Sequence, residues 1–276
     1  MIALITGASS GIGLELARLF AKDGVNLVLV GRNQKNLENV AIELEQQFPI
    51  RAFSLPIDLA EQKAVQKIIN FLAQQSIEID VLVNNAGTQV YGEFNYANLE
   101  HLSAMLQVNN TALIELTHRL LPGMIKRKFG FILNLGSSGS FAPGPLNAVF
   151  CASKAFVLSF SQALGAELSE TGISVTTLCP GATKTNFINR HGLQNVRIFR
   201  YVMAANRVAE IGYRAMWQKK PVVVAGWVNL LQVISFQFMA PFFPLTPPVW
   251  LMAIGRLFMG KTRSSRKPEH LVKEFK

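Results

Sequence analysis

Short apolar runs alternate with longer amphipathic stretches along most of the chain. Seven runs rich in Val, Ile and Leu predict strands at residues 2–6, 26–30, 51–55, 81–83, 131–135, 173–178 and 222–225. Continuous apolar runs are typical of strands buried on both faces, as in a parallel sheet. Between them, apolar residues recur at helical spacing over residues 14–22, 35–47, 62–75, 99–124 with an interruption, 152–168 and 207–218. The alternation predicts an α/β fold built on a single doubly wound parallel sheet of about seven strands.

The last fifty residues have a different pattern. Residues 221–255 contain no Asp, Glu, Lys or Arg, which suggests a membrane span, because a spanning helix needs about 20 predominantly apolar residues. Prolines interrupt helices, and this run is broken by Asn229, Gln232, Gln237, Pro241, Pro244, Pro247 and Pro248. Within it, residues 250–258 carry one apolar helical face. We therefore predict a domain of residues 1–226 followed by an apolar helical extension with a basic tail at 227–276.

Charge is distributed unevenly. The 276 residues are about half apolar and carry a formal net charge of +10, a composition that excludes intrinsically disordered and disulfide-dense proteins. Residues 1–189 hold 13 basic and 14 acidic side chains, whereas residues 190–276 hold 14 and 3. Because the basic third is also the most apolar, a membrane surface or an acidic amphiphile fits it better than nucleic acid. Three placements stay open for residues 227–267: on a membrane surface, packed over a pocket or subunit interface, or across a membrane as a hairpin.

The cysteine and histidine spacings favour neither disulfides nor metals. Cys151 and Cys179 lie outside any CxxC pattern, which predicts reduced thiols in a cytoplasmic protein, with peripheral attachment to the inner face of the membrane left open. The four histidines are scattered, so no metal site is predicted. The apolar residues 2–5 lack a preceding basic segment and predict a first strand instead of an export signal.

A glycine-rich loop, Thr6-Gly7-Ala8-Ser9-Ser10-Gly11-Ile12-Gly13, follows the first predicted strand and precedes a helix. Glycines let the backbone turn tightly beside a pyrophosphate, and a helix N-terminus offers unpaired N–H groups. The second predicted strand ends at Gly31-Arg32, where NAD-selective sites usually have an acidic residue. The missing acid and the arginine together favour a 2′-phosphate, and hence NADP(H).

Further motifs follow in a fixed order after the predicted strands. They are Asp58-Leu59, Asn84-Asn85-Ala86-Gly87, Asn109, Ser137, Lys154 and Pro180-Gly181-Ala182-Thr183-Lys184-Thr185. With the loop, they resemble the short-chain dehydrogenase/reductase family over residues 1 to about 225. The closest likeness is to its bacterial NADP-dependent members with an apolar, basic C-terminal segment. The resemblance implies a Rossmann-like fold and an oxidoreductase that transfers hydride between NADP(H) and a carbonyl or alcohol.

The resemblance also implies a role for each matching position. Asn109 would hold a water chain, Ser137 would hydrogen-bond the substrate carbonyl, and Lys154 would bind the nicotinamide ribose. The implied cofactor-binding set is Gly7, Ser9, Ser10, Gly11, Ile12, Gly13, Arg32, Asp58, Leu59, Asn85, Ala86, Gly87, Lys154, Pro180, Gly181, Thr183 and Thr185. The candidate substrate contacts are Ser137, Ser138, Phe150 and Tyr91.

One position departs from the family pattern. The family's proton donor is a tyrosine four residues before the lysine, and here that position holds Phe150. The alignment is fixed by Ser137, which lies 13 residues earlier, at the family spacing. A positioned proton donor contributes about 10² to 10⁴ in rate, so we predict an impaired or altered enzyme with an intact cofactor site.

Three interpretations of Phe150 stay open. In the first, the protein is an inactive NADP(H)-binding sensor or partner subunit. In the second, a water held by Lys154 and Ser137 delivers the proton. In the third, the sequence is an engineered or diverged form of an ordinary reductase. Apolar residues interspersed with arginines favour an apolar carbonyl substrate with an anionic end; they are Phe187, Ile188, Arg190, Arg197, Phe199, Arg200, Tyr201 and Met203. By likeness to the family, helices at 111–127 and 152–168 predict a homodimer or homotetramer.

Overall fold

A computed structural model describes residues 1–185, 187, 191 and 202–239, with the backbone alone for 236–239. Several predicted features lie outside these residues. They are the apolar face at 250–258, the basic tail at 261–267, and Ile188, Arg190, Arg197, Phe199, Arg200 and Tyr201. The division of the chain at residue 226 stays a prediction.

Seven parallel strands form one sheet in the order β3-β2-β1-β4-β5-β6-β9. The strands of the described residues are β1 (Ile2–Thr6), β2 (Asn26–Gly31), β3 (Ala52–Pro56), β4 (Val81–Asn84), β5 (Gly130–Leu135), β6 (Ile173–Pro180), β7 (Thr183–Lys184), β8 (Met203–Ala204) and β9 (Val222–Ala225). The order reverses direction after β1, which confirms the predicted doubly wound, Rossmann-like sheet. The sequence pattern missed β7 and β8, a short parallel pair outside the main sheet.

Helices cover both faces of this sheet. In the described residues they are α1 (Gly11–Lys22), α2 (Gln34–Gln47), α3 (Ala64–Gln74), α4 (Leu99–Leu106), α5 (Ala112–Arg127), α6 (Ala148–Glu167), α7 (Ala205–Trp217) and α8 (Trp227–Met239). The predicted interruption of the long helix at 99–124 is a π-helical turn at Gln107–Thr111, between α4 and α5. Helix α6 begins four residues earlier than predicted, so Phe150 lies in its first turn.

The core divides into two apolar clusters, one on each face of the sheet. Along β1, Ala3 and Ile5 pack into one cluster with Phe20 of α1, whereas Leu4 packs into the other with Ile68 of α3. This is the alternation expected of a strand buried on both faces. Because the strands are parallel and helices cover both faces, the loops that leave the carboxyl ends of the strands converge at one edge of the sheet.

Helix α6 is the one helix of the described residues that is long and apolar enough to cross a membrane. Leu164 of α6 and Leu168, which follows it, belong to the core cluster that packs on β6. One face of α6 therefore packs in the core.

Candidate active site

A cleft of 1830 Å³ runs along the carboxyl edge of the sheet. Its walls come from the loops that follow β1, β2, β3, β4, β5 and β6, together with α6 and α8. Pockets for single small ligands usually measure about 300–1,000 Å³. The cleft is therefore large enough to hold a dinucleotide and a second molecule.

The glycine-rich loop forms one end of the cleft. Gly7 and Gly11 have positive φ angles of 68° and 62°, a conformation that side chains disfavour. A Cβ on Gly13 would contact the Gly7 carbonyl oxygen and the Asn85 amide. The loop therefore needs glycine at these positions, and α1 begins at Gly11 with its N–H groups directed toward the cleft edge.

Thr6 and Asn85 hold this loop against the end of β4. The Thr6 hydroxyl accepts hydrogen bonds from the backbone N–H groups of Asn85 and Ala86, each at 3.0 Å. In return, the Asn85 side-chain amide donates to the carbonyl oxygens of Thr6 at 2.8 Å and Gly7 at 3.2 Å. Thr6 is a functional position that sequence reasoning did not single out, although it opens the loop motif.

Arg32 and Asp58 face each other across the neighbouring part of the cleft. The Arg32 Nη1 and Asp58 Oδ2 atoms are 3.8 Å apart, and the Arg32 side chain is 63% exposed. Gly31 has no side chain, and a Cβ there would come within 3.5 Å of the Ser9 hydroxyl oxygen. The exposed guanidinium, although paired with Asp58, could therefore reach an anion bound between Ser9 and Arg32.

Asn109 lies behind the cleft, in the π-helical turn, and is 2% exposed. Its carbonyl oxygen accepts from the Thr88 N–H at 2.9 Å, and its amide donates to the Thr88 carbonyl at 3.0 Å. The amide also donates to the Ser153 hydroxyl oxygen at 3.2 Å. Asn109 thus ties the loop after β4 to α6 at Ser153, the residue directly before Lys154.

Ser137 and Lys154 both line the cleft. The Lys154 ammonium is buried and donates to the Leu135 carbonyl oxygen at 2.7 Å. Burial lowers the pKa of Lys154 to about 8, partly offset by the charge interaction with Cys179. The Ser137 hydroxyl accepts from the Gly139 N–H at 3.0 Å. Ser140 braces the pair, because it accepts from the Ser137 N–H and donates to the Lys154 carbonyl.

Phe150 lies beside this pair and lines the cleft. The centre of its ring is 6.0 Å from the Lys154 Nζ atom and 6.4 Å from the ring of Phe187. The neighbouring Cys151 also lines the cleft, but burial raises the pKa of its thiol to about 11. The readily donated proton at this point of the cleft is therefore that of the Lys154 ammonium. The Phe150 ring has no acidic proton, and the Cys151 thiol is a weaker acid than the ammonium.

His191 joins the substrate side of the cleft to the loop after β4. Its Nε2 atom lies 3.1 Å from the Gln89 N–H and 2.9 Å from the Thr88 hydroxyl oxygen, and its Nδ1 atom lies 2.8 Å from the Phe187 carbonyl oxygen. A backbone N–H can only donate and a carbonyl can only accept, so Nδ1 carries the proton and Nε2 accepts. No sequence signal pointed to His191, because its partners are about 100 residues away.

The segment after β6 closes the other end of the cleft. Pro180, Gly181, Thr183 and Thr185 line it, and the Asn229 side chain of α8 packs where a Cβ on Gly181 would lie. Asn229 also donates to the Ala225 carbonyl oxygen at 2.6 Å. The first turn of α8 is therefore part of the site.

The structure brings most of the predicted site residues into one cleft. Those lining it are Gly7, Ser9, Ser10, Gly11, Ile12, Arg32, Asp58, Leu59, Asn85, Ala86, Gly87, Ser137, Ser138, Phe150, Lys154, Pro180, Gly181, Thr183 and Thr185. Gly13 packs beneath the loop, and Asn109 lies behind the cleft. Tyr91 is outside the lining, although its neighbour Val90 is part of it, so the predicted substrate contact of Tyr91 finds no support in this geometry.

Comparisons with known proteins agree with this geometry. A family model described as short chain dehydrogenase matches residues 1–195. Sulfoacetaldehyde reductase 2 of Chromohalobacter salexigens is 38% identical over 188 residues, which cover 67% of this chain and 74% of that protein. A fatty acyl-CoA reductase of Acinetobacter baylyi is 31% identical over 277 aligned positions, covering 98% of this chain and 89% of that protein.

A solved structure gives the same result. A short-chain dehydrogenase from Sphingobium yanoikuyae in complex with NADPH matches with a TM-score of 0.78 and 29% identity, covering 90% of this chain and 97% of that one. The match therefore extends well beyond the glycine-rich loop to the whole sheet.

Proposed function

The chain belongs to the short-chain dehydrogenase/reductase family, and on that premise we propose that it reduces a carbonyl group on an apolar substrate with NADPH. The observation that carries the proposal is the single cleft that joins the glycine-rich loop, Arg32 and the pair Ser137 and Lys154. The cofactor is NADP(H), in keeping with the NADPH and NADP⁺ bound in similar solved structures.

The residues at the cofactor end fit this group. The glycines of the loop leave a cradle that a Cβ would fill, and α1 begins there with N–H groups for a pyrophosphate. Arg32 offers a guanidinium for a 2′-phosphate, and Asp58 lies beside it for the adenosine. Lys154 would hold the nicotinamide ribose, and Pro180, Gly181, Thr183 and Thr185 would cover the nicotinamide.

NADPH supplies the hydride when it is bound. The remaining chemistry is that of the chain. The Ser137 hydroxyl would donate to the substrate carbonyl oxygen and keep it near Lys154. The carbonyl carbon gains the hydride, and its oxygen must gain one proton, so the reaction balances only with an acid at that oxygen.

Phe150 cannot be this acid, because its ring has no ionisable hydroxyl. The proton would come from the Lys154 ammonium through a water beside Ser137. Lys154 would then regain its proton from solvent. Without a phenol at position 150 the step would be slower by about 10² to 10⁴ than with one.

The same observation favours a second candidate function. A chain with an intact cofactor cleft and a phenylalanine at the acid position can act as an NADP(H)-binding sensor or as an inactive partner subunit. In that case the cofactor binds and no carbonyl compound is reduced.

The test compares the chain as written with Phe150→Tyr and the matched control Phe150→Leu. NADPH oxidation is followed with a panel of aldehydes and ketones, and cofactor binding is followed by NADPH fluorescence. We expect all three to bind NADPH, and Phe150→Tyr to reduce carbonyls about 10² to 10⁴ times faster than the other two. A tyrosine variant that binds NADPH and is no faster than the parent would contradict the role given to position 150. Failure of all three to bind NADPH would contradict both candidate functions.

Support for an apolar substrate comes from two sides. Phe150 and Phe187 line the cleft beside Ser137. A relative named fatty acyl-CoA reductase matches 98% of this chain, including its C-terminal third. A carbonyl compound with a long apolar chain is therefore the substrate class to test first.

We further propose a homodimer or homotetramer of a cytoplasmic protein. Ile114 and Ile125 of α5 and Phe156 of α6 are exposed apolar side chains on the two helices expected to pair. Both cysteines are free and buried, as expected of a reducing compartment. Light scattering during size-exclusion chromatography measures the assembly, and a monomer would contradict the pairing.

A further inference from the structure

Helix α8 carries apolar side chains on its outward face, where a helix on the surface of a water-soluble protein ordinarily carries charged ones. The polar side chains of Asn229 and Gln232 line the cleft, Gln232 at its exposed margin, and Val233, which follows Gln232, is buried. The apolar side chains at spacings i, i+3, i+4 and i+7 point outward. They are Trp227, Leu230, Leu231 and Ile234, which are 74, 43, 56 and 48% exposed.

Five of the exposed large apolar side chains in the part of the chain that the structure describes lie within residues 227–234. They belong to an uncharged run, because residues 221–255 contain no Asp, Glu, Lys or Arg. Ordinary surface helices carry charged residues on the side away from the core. A contiguous apolar patch of this kind marks a surface that meets an apolar partner.

The charge of the C-terminal part of the sequence indicates which partner. Residues 190–276 hold 14 basic and 3 acidic side chains, whereas the rest of the chain is close to neutral. In the described residues, the exposed Lys184 lies at the carboxyl edge of the sheet from which α8 begins, as does Arg207, which pairs with Glu210 at 3.3 Å. An apolar helical face accompanied by basic residues is the combination that binds an anionic bilayer surface. A second protein chain would not by itself require the basic excess.

The patch is also continuous with the lip of the cleft. Val228, between Trp227 and Asn229, lines the cleft and is itself exposed. A bilayer seated on the outward face would therefore meet the opening beside Phe187 and Gly181.

We propose that Trp227, Leu230, Leu231 and Ile234 dock on an anionic lipid surface and place the opening of the cleft against it. An apolar carbonyl compound would then enter from the lipid without crossing water, a consequence that rests on the proposed function. The docking itself does not rest on it, because it requires neither cofactor nor turnover.

The test is flotation of the full chain with vesicles of phosphatidylcholine alone or mixed with an equal part of phosphatidylglycerol. We expect binding to the mixed vesicles that weakens as salt is raised, since exposed charges are screened over about 10 Å at 0.1 M salt. The double variant Trp227→Ser with Leu231→Ser should bind about tenfold or more weakly, because it removes two large apolar side chains from the contact. The control Ile42→Ser removes a side chain of similar exposure, 53%, from α2 and should bind as the parent does.

Other outcomes would overturn the proposal. A parent chain that stays with neither vesicle and elutes as a dimer that Leu231→Ser dissociates would show that a second copy covers the patch. A parent that binds neither vesicle and stays monomeric would show that the remainder of the chain covers it. NADPH binding, measured in the same samples, separates a failure of docking from a failure of the proposed oxidoreductase function.

Discussion

The two ends of the cleft are built in different ways. At the cofactor end, glycine backbone, the N-terminus of α1 and the reciprocal bonds of Thr6 and Asn85 fix the walls. At the substrate end, the walls are aromatic side chains, a histidine that bonds to two loops, and one turn of an apolar helix. The first end is specified by backbone geometry and the second by side chains.

The difference shows where the chemistry can change. A side chain added to the loop collides with backbone or with Asn85, so the cofactor end tolerates little substitution. A phenylalanine in place of a tyrosine at position 150 would keep the ring and alter only the chemistry, so we expect the substrate end to accept that replacement without a change of fold. The site can therefore keep its cofactor while its reaction is slowed or redirected.

The largest expected effect is on NADPH affinity, from a substitution in the glycine-rich loop of the cofactor end. Gly13→Val would place a branched side chain against the Gly7 carbonyl and the Asn85 amide. We expect NADPH affinity to fall by about 100-fold or more, on the scale of a distorted backbone and a lost hydrogen-bond set. Fluorescence titration measures it. Gly165→Ala is the control, because a Cβ there meets Val175 at an ordinary 3.7 Å. Unchanged affinity in Gly13→Val would mean that the loop is not the cofactor site.

The next effect lies at the junction of the two ends. The pKa of Lys154 is lowered by burial to about 8, and its protonated form is the acid in the proposed proton path. The reduction rate should therefore fall as the pH rises through about 8. Lys154→Met should lower the rate by about 100-fold and remove this limb. Lys22→Met, on the exposed end of α1, should change neither. A pH profile that keeps its limb in Lys154→Met would assign the acid elsewhere.

The same lysine predicts a dependence of stability on pH. Its folded pKa lies below the ordinary 10.5, so between about pH 8 and 10.5 the unfolded chain binds more protons than the folded one. The free energy of unfolding of the parent should therefore rise relative to that of Lys154→Met over that window, because the buried thiols of Cys151 and Cys179, whose pKa values are raised, lower the stability of both chains alike. Urea titrations at several pH values measure how the free energy of unfolding changes with pH. Equal slopes for the parent and Lys154→Met would mean that Lys154 is solvated in the folded chain.

A smaller effect concerns the preference of the cofactor end for NADPH over NADH. Arg32→Ser removes the guanidinium proposed to meet the 2′-phosphate. We expect NADPH affinity to fall about tenfold and NADH affinity to stay the same, since a hydrogen bond to a charged group contributes about 1.5–3 kcal/mol. The control is Arg51→Ser. Arg51 directly precedes β3 and so lies at the amino ends of the strands, away from the cleft. Equal losses for both cofactors would show that Arg32 does not read the phosphate.

The smallest effect concerns a contact outside both ends. The Tyr213 hydroxyl of α7 donates to the Asp23 carboxylate at 2.6 Å, and burial together with this carboxylate raises the pKa of Tyr213. Tyr213→Phe should lower the free energy of unfolding by about 1 kcal/mol and leave NADPH binding unchanged. Chemical denaturation measures the first quantity. A loss of NADPH affinity would show that the cleft depends on α7.

Much of the fold could be predicted because its signals are local. The runs at 2–6 and 26–30 contain their own evidence for buried strands, and their alternation with helices implied the sheet. The loop could also be predicted, because the position of its glycines relative to β1 and α1 is a property of one segment. The pair β7 and β8 could not, since two residues form each strand and the partners lie 20 positions apart.

The sequence by itself determined the doubly wound sheet and the cofactor loop, because each depends on neighbouring residues or fixed spacings. That Phe150 stands in place of an acid stays a prediction from the family pattern. The tertiary structure alone decided that Thr6 and Asn85 lock the loop, that His191 reaches Thr88 and Gln89, and that α8 turns its apolar face outward. These contacts join residues up to about 100 positions apart. Only the folded sheet brings such distant residues to one edge.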